Sequence, residues 1–553
     1  MTKRVLPLAT ATALVLLLGG VTAAAPPTAP EPTKASADPS EPASGTGDTP
    51  YATDGGEAGK SASDGRPATE PFRPDIPRVW DEEALEGMEL PLAGASFKVQ
   101  PPPADFYYEI PVRKIYKSYP VYHPDHQPEG YLDSLRSREP EVAFDPAEYH
   151  TEEEWTQAGE LVFDAPTSYN GIGHIDRLQD PEWYEEAGMP VAADGTVPYF
   201  RYVVREKGKI DVGEFSCATC HTRVMPDGQT IKGAQGNFPL ERIDRKMMRM
   251  FSSEWDQERM ARSTQRNRAY QRIRYDAPWV KPDPMARINS MSYNDIADAF
   301  GVIPPGVQAR FGSSLFSPVQ VPDLIGLEER RYFDRTGRIR HRGIGDLMRY
   351  AVMTTGVAGY FRYGDFMSAG EELPEEPPEH LERYSDEQLY ALALWLYSLE
   401  PPENPNPFDE MAARGKQIFE REECWRCHEP PLYSNNKLTP VDGYEVPEDH
   451  PEAQHIVPFS VGTDPTLALS TRRGTGLYKV PSLRGVWYRG PLSHDGSVAT
   501  LEDWLDPRRH EEDYVPTGWI GWGVEHRAVP GHDFGLDLEP EEREALLAFL
   551  RSL

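Results

Sequence analysis

The sequence predicts a mainly α-helical fold in which one helical unit occurs twice in tandem, the first copy carrying a long insertion, behind an export signal and a disordered linker. Three observations predict it. The run Cys-x-x-Cys-His occurs twice and uses all four cysteines of the 553 residues. The same landmarks surround both runs in the same order, as in a duplicated unit. An apolar leader and a stretch almost without large apolar residues precede everything else.

Residues 1–25 read as a signal peptide. Lys3 and Arg4 give a basic start, Leu6 to Gly20 an apolar run, and Val21-Thr22-Ala23 a small-residue cleavage site. The uncharged span from Val5 to Ala25, about 20 residues, is also long enough to remain as an N-terminal membrane anchor. In both cases the body of the chain is expected in the periplasm or the extracellular space. Residues 26–75 are mostly Pro, Ala, Ser, Thr, Gly and acidic residues, which cannot bury enough surface to offset their ordering entropy, and read as a disordered linker. A formal charge of −32 excludes nucleic acid as a partner and disfavours anionic membrane surfaces. It would steer a basic redox protein toward the chain, or it serves solubility alone.

The first unit is expected over residues 76–400 and the second over 408–553, joined by the Pro-rich Glu400-Pro401-Pro402-Glu403-Asn404-Pro405-Asn406-Pro407. Each opens with Gly-x-x-x-Phe on a predicted helix, Gly159 to Phe163 and Gly415 to Phe419, and Thr151 with Glu154 forms a capping box for the first. The Cys-x-x-Cys-His run begins five residues past Phe419 but 54 past Phe163. An insertion from Asp164 to Ser216 therefore separates helix from motif in the first unit, a candidate lid or pocket wall.

The motifs are Cys217-Ala218-Thr219-Cys220-His221 and Cys424-Trp425-Arg426-Cys427-His428. In this pattern the thiols form thioethers with haem vinyl groups and the His supplies the proximal iron ligand, so two covalently bound haems c are predicted. A structural zinc site would draw both thiol pairs together, whereas these stand far apart and each has its own His. A third landmark recurs at a constant offset of 159 residues: Val321-Pro322-Asp323-Leu324-Ile325-Gly326 as Val480-Pro481-Ser482-Leu483-Arg484-Gly485, and Gly337 as Gly496. A fourth is a closing helix, Ala391 to Leu399 and Ala545 to Leu553, with acidic residues in its first turn. Helix, haem motif, connecting body and closing helix is the order expected of a cytochrome c domain.

With Val480 to Val486 followed by His494-Asp495-Gly496-Ser497 and Thr500-Leu501-Glu502, the chain resembles the bacterial di-haem cytochrome c peroxidase superfamily, which includes the di-haem enzymes that mature methylamine dehydrogenase and the extracellular rubber oxygenases. Pro430 to Leu438 and Gly531-His532-Asp533-Phe534-Gly535 are similar to the rubber-oxygenase-like branch. The likeness covers most of the second unit but, in the first, mainly the haem motif and Val321 to Met348. The resemblance implies that one haem relays electrons while the other meets peroxide or oxygen, and it allows a bound calcium. It also implies His494 as the second axial ligand of the haem on Cys424 and Cys427, with His532 in reserve and a hydrogen-bonded loop histidine as the plain alternative.

At the position equivalent to His494 the first unit has Arg335, which cannot ligate iron. The first haem would then be open, and a fixed guanidinium beside it would stabilise developing charge on bound peroxide. Against this reading, His341, Met348 or Met353 would cap the iron, or Arg335 would join its neighbouring arginines in solvent or on the haem propionates. Trp425, Trp279, Tyr332, Trp395 and Trp487 are candidate electron relays, although most buried aromatics are only core. Alternatives to a peroxidase- or oxygenase-like oxidoreductase are a non-catalytic electron-transfer cytochrome with two six-coordinate irons, and a tethered redox sensor.

Overall fold

The computed structural model describes residues 72–553; the signal peptide and all but the end of the linker lie outside the described residues. Two helix pairs organise the chain. In the first half the helix Glu152–Asp164 starts at the capping box of Thr151 and Glu154 and crosses the closing helix Asp386–Tyr397, itself capped by Ser385 and Gln388. At the crossing, a Cβ on Gly159 would lie 2.0 Å from the Ala391 carbonyl oxygen and 2.6 Å from Trp395 Cβ. The second half repeats this contact. Helix Glu410–Arg421 crosses Pro540–Arg551, and a Cβ on Gly415 would lie 1.9 Å from the Ala545 carbonyl oxygen and 2.8 Å from Phe549 Cβ. The Gly of the Gly-x-x-x-Phe landmark is thus the point of closest helix approach, and the Phe packs beside it on Trp395 in one half and Phe549 in the other.

That contact sets a stability prediction. Gly415→Ala gains up to about 1 kcal/mol of helix propensity, but overpacking costs about 1–3 kcal/mol and more where backbone must move. The atom in the way is backbone, so the cost dominates. We expect Gly415→Ala to destabilise the protein by about 2 kcal/mol in denaturant unfolding, while Lys416→Ala, with half its side chain in solvent, stays within about 0.5 kcal/mol of wild type.

The fold is mixed α and β, which corrects the expectation of a mainly α chain. An antiparallel sheet runs in the order Ser118–Tyr122, Thr196–Val203, Asp211–Glu214, Ser168–Tyr169, and three of its four strands lie in the Asp164–Ser216 insertion. Thr196–Val203 is rich in aromatic and β-branched residues, which suit a pleated surface; Val197, Tyr199, Phe200 and Tyr202 bury against Val212 and Trp183 in a core of their own. The insertion backs the first Cys-x-x-Cys-His helix, where the Thr219 hydroxyl donates to the Tyr199 carbonyl at 3.1 Å.

The two halves meet through a reciprocal contact. Each contributes a short hairpin, Val307–Gln308 with Val319–Gln320 and Leu438–Pro440 with Leu477–Lys479. The Gln320 N–H donates to the His494 carbonyl at 2.9 Å, and the Lys479 N–H donates to the Arg335 carbonyl at 3.0 Å. These are equivalent positions under the 159-residue offset, so the contact has the form of a local two-fold. Gly337 and Gly496 sit at its centre with φ of +63° and +74°; a Cβ on the first would lie 2.4 Å from Leu438 of the other half, and on the second 2.1 Å from Val307. Among the described residues, no helix is long and apolar enough to cross a membrane.

Candidate functional site

Residues Cys217–His221 form one helical turn, fixed by a capping box in which the Thr219 N–H donates to the Ser216 hydroxyl and the Ser216 N–H donates to the Thr219 hydroxyl. His221 ends the turn with Nδ1 3.0 Å from the Pro322 carbonyl. A carbonyl only accepts, so Nδ1 carries the proton and Nε2 keeps its lone pair for another group. Burial, helped by the positive charge of Arg310, holds the imidazole pKa down at about 4 and keeps the ring neutral. In the second half Glu423, at φ 57°, turns the chain into a short 3-10 turn over Cys424–Arg426. There His428 Nδ1 lies 3.0 Å from the Tyr433 carbonyl, and burial again lowers its pKa, opposed by hydrogen bonding to Tyr433 and the Pro481 carbonyl. The Val-Pro landmark therefore has a physical role: it brings the backbone carbonyl of Pro322 or Pro481 against the motif histidine of its own half.

These residues fit covalent haem. All four thiols are free, and burial pushes Cys217 up to about 12 and Cys424 up to about 11. Among the described residues, no three His, Cys, Asp or Glu side chains converge as metal ligands. Each motif thus offers two thiols and one imidazole with a free Nε2, the donor set that covalent haem attachment uses.

His532 lies near enough to His428 for the two rings to oppose each other's protonation. Burial first, then the charges of His428 and Arg509, lower its pKa to about 3. Its Nδ1 is buried without a hydrogen-bond partner, and its ring stands between Trp504 and Phe534, each at 5.5 Å. His494, the residue favoured by sequence, is placed differently. Its ring lies over Tyr478 at 4.8 Å with Nδ1 3.3 Å from the Ser493 hydroxyl, and its carbonyl is engaged by Gln320 of the other half. Its neighbour Asp495 pairs with Arg527 at 3.3 Å.

The first motif has other neighbours. Gln308 Nε2 lies 2.9 Å from Cys220 Sγ, and Arg310, whose charge is felt by both Cys220 and His221, donates to the Tyr350 hydroxyl at 3.1 Å. Glu241 is buried beside them and accepts from the Ala309 N–H at 3.0 Å. Burial, then the charge of Asp244, raises Glu241 to about 8; burial raises Asp244 to about 6 against the pull of Arg274.

Arg335 lines a cleft between the halves with Arg330, Lys479 and Arg489, next to Pro322 and Pro481. His341 has both nitrogens engaged, by the Arg330 carbonyl and the Tyr397 hydroxyl. Met348 is fully buried in the core around Phe333 and Leu347, and Met353 borders a second cleft with Tyr350 and Arg338. Of the aromatic candidates, Trp425 is 48% exposed, Trp395 packs on Phe163 and Trp279 stacks on Tyr363. Tyr332 lines the cleft with its hydroxyl on Glu452, and Trp487 packs beside Tyr488 in a cluster shared by the two halves. Sequence reasoning missed Gln308, Arg310, Glu241, Asp244 and Tyr350. None belongs to a recurring landmark, so no periodicity or spacing marked them.

No family model matches the sequence, and no curated protein matches it. Among solved structures, the chain is similar to hydrazine synthase from Kuenenia stuttgartiensis, at 18% identity and a TM-score of 0.27, covering 54% of this chain and 89% of that one. It is also similar to a MauG-like protein associated with microbial copper homeostasis, at 22% identity and a TM-score of 0.20, covering 30% of this chain and 56% of that one.

Proposed function

We propose that the chain is an exported di-haem c-type cytochrome of two tandem cytochrome c domains, 76–400 and 408–553, that transfers electrons and acts as a peroxidase- or oxygenase-like oxidoreductase. One observation carries this reading: the Cys-x-x-Cys-His run occurs twice, each time with the histidine Nδ1 tied to a backbone carbonyl and its Nε2 left for a ligand. Bound haem would supply a redox-active iron at each motif. His221 and His428 are then the proximal ligands, and the Nδ1 hydrogen bond fixes their tautomer and raises their basicity.

The two sites divide the work because their other neighbours differ. His532 would serve as the second ligand in the C-terminal half, which would suit that site to electron relay. Beside the N-terminal motif stand Arg310, a fixed cation, and the Glu241–Asp244 pair, which is able to hold and release protons near neutral pH. That is the site for peroxide or oxygen. Reducing peroxide to two waters consumes two electrons and two protons; a redox partner protein, basic enough to suit the acidic surface, supplies the electrons and the acid pair passes protons.

The test is a haem count. Mass spectrometry should find two haems added to the mature chain, and Cys217→Ala or Cys424→Ala should weaken one attachment and spare the other. A single haem, or bound zinc, sinks the reading. Carbon monoxide should bind about one equivalent per two haems, at the N-terminal site, consistent with one open and one six-coordinate iron. If neither haem accepts an exogenous ligand in any redox state, the chain is an electron carrier that catalyses nothing.

A further inference from the structure

The cleft between the halves carries a charge excess that the haem reading above leaves unexplained. Arg330, Arg335, Lys479 and Arg489 line it, and Asp323 is the one carboxylate among the lining residues. The arrangement is built from the duplication. Arg330 and Arg489 are equivalent under the 159-residue offset, and each folds back on its own Val-Pro loop: Arg330 donates to the Asp323 carbonyl at 2.5 Å and Arg489 to the Ser482 carbonyl, the equivalent atom, at 2.7 Å. Arg335 and Lys479 join the set through the hydrogen bond between their main chains.

The charges are poorly met within the protein. Asp323 pairs with Arg330 alone among the cations, at 3.5 Å, and shares its carboxylate with the Tyr488 hydroxyl at 3.3 Å and the Ile325 N–H, while the nearby Asp334 is taken by Arg473. Lys479 Nζ has a single partner, the Tyr332 carbonyl at 3.2 Å, and the Arg335 guanidinium has no hydrogen bond or ion pair among the described residues, its Nε being buried. Burial and the neighbouring cations lower both pKa values, Arg335 to about 9. Cations gathered out of water at this density are disfavoured unless they give up protons or an anion balances them, and Asp323 alone does not match the four.

We propose that this cleft is an oxyanion-binding site held jointly by the two halves, with Arg335 and Lys479 as the residues that grip the ligand. Carboxylate or phosphate chemistry suits it: a planar guanidinium forks two oxygens, and an ammonium adds a mobile third donor. The cleft has the wrong sign for a divalent cation, so the calcium that the family resemblance allows has no place here. The oxygens come either from haem propionates or from a free small anion; the first source rests on the proposed function, the second does not.

The experiment titrates the purified holoprotein with inorganic phosphate in a calorimeter at fixed ionic strength, and measures the haem midpoint potentials of the wild type, Arg335→Gln, Lys479→Met and the conservative Lys479→Arg. A free-anion site gives saturable uptake of one phosphate, weakened at least about tenfold in Arg335→Gln, in keeping with the loss of a charge-assisted pair. A propionate site gives no phosphate uptake, but the potentials fall in Arg335→Gln and Lys479→Met and return toward wild type in Lys479→Arg, because removing a positive charge beside a propionate favours the oxidised haem. Neither uptake nor a shift in potential overturns the proposal. A protein that proves to lack covalent haem refutes the proposed function and leaves the phosphate titration standing as the test of the cleft.

Discussion

His532→Gly should convert the C-terminal haem from low-spin to high-spin, read directly in the optical and paramagnetic-resonance spectra of the oxidised protein, whereas His494→Gly should leave the spin state unchanged. The expectation rests on placement. His532 lies near enough to His428 for the two rings to oppose each other's protonation, burial first and the Arg509 charge with it hold its pKa down at about 3 and keep it neutral, and its Nδ1 is buried without a hydrogen-bond partner among the described residues. His494 packs at a tilt against the Tyr478 ring and lends its carbonyl to the contact between halves. Loss of a strong-field nitrogen ligand leaves a vacant or water-bound iron and raises the reduction potential. An unchanged spectrum in His532→Gly, together with a high-spin signal in His494→Gly, would return the role to the histidine of the His-Asp-Gly run. Added imidazole should restore the low-spin spectrum of His532→Gly, which a general loss of structure would not permit.

What the sequence made legible follows from the kinds of constraint that recur. Gly159 and Gly415 were visible because a helix crossing with no room for a Cβ admits only glycine, and the crossing occurs twice. Gly337 and Gly496, and the Val-Pro pairs, were visible for the same reason: each half needs a left-handed turn against the other half's hairpin and a carbonyl on its motif histidine. The inserted sheet was not read, because a landmark search is blind to a segment present in one copy only; the run Thr196–Val203, with its aromatic and β-branched residues, was the available signal. The proposal of His532 where the sequence pointed to His494 has a different ground. Alignment by offset assumes that equivalent positions do equivalent work. Positions 335 and 494 are equivalent in their backbone, each giving a carbonyl to the other half, yet their side chains go to a cationic cleft and to a tyrosine ring.

The proposed function gives the proton and charge handling to Glu241 and Arg310, where the sequence pointed to Arg335. Glu241→Gln should retain haem, carbon monoxide binding and the low-spin signal of the other site, but slow peroxide turnover by about two to three orders of magnitude, the range typical of losing a positioned acid–base group. Arg310→Leu should cost a comparable factor by removing a preorganised donor, while Arg335→Leu should cost far less, since its guanidinium lines the cleft with Pro322, whose carbonyl takes the Nδ1 side of His221 and leaves Nε2 to the other side. The pH dependence separates Glu241 from a passive core residue. Its pKa is raised from the ordinary 4.5 to about 8, so between those values the folded protein holds a proton that the unfolded chain has released. Stability from this group is complete below the ordinary carboxylate range and is lost as pH rises through about 8. Glu241→Gln should therefore flatten the fall in unfolding midpoint over that window as well as the pH profile of kcat/KM. A variant that loses turnover but keeps both pH slopes would show that Glu241 acts only through packing, and the proton-handling role would pass to Asp244.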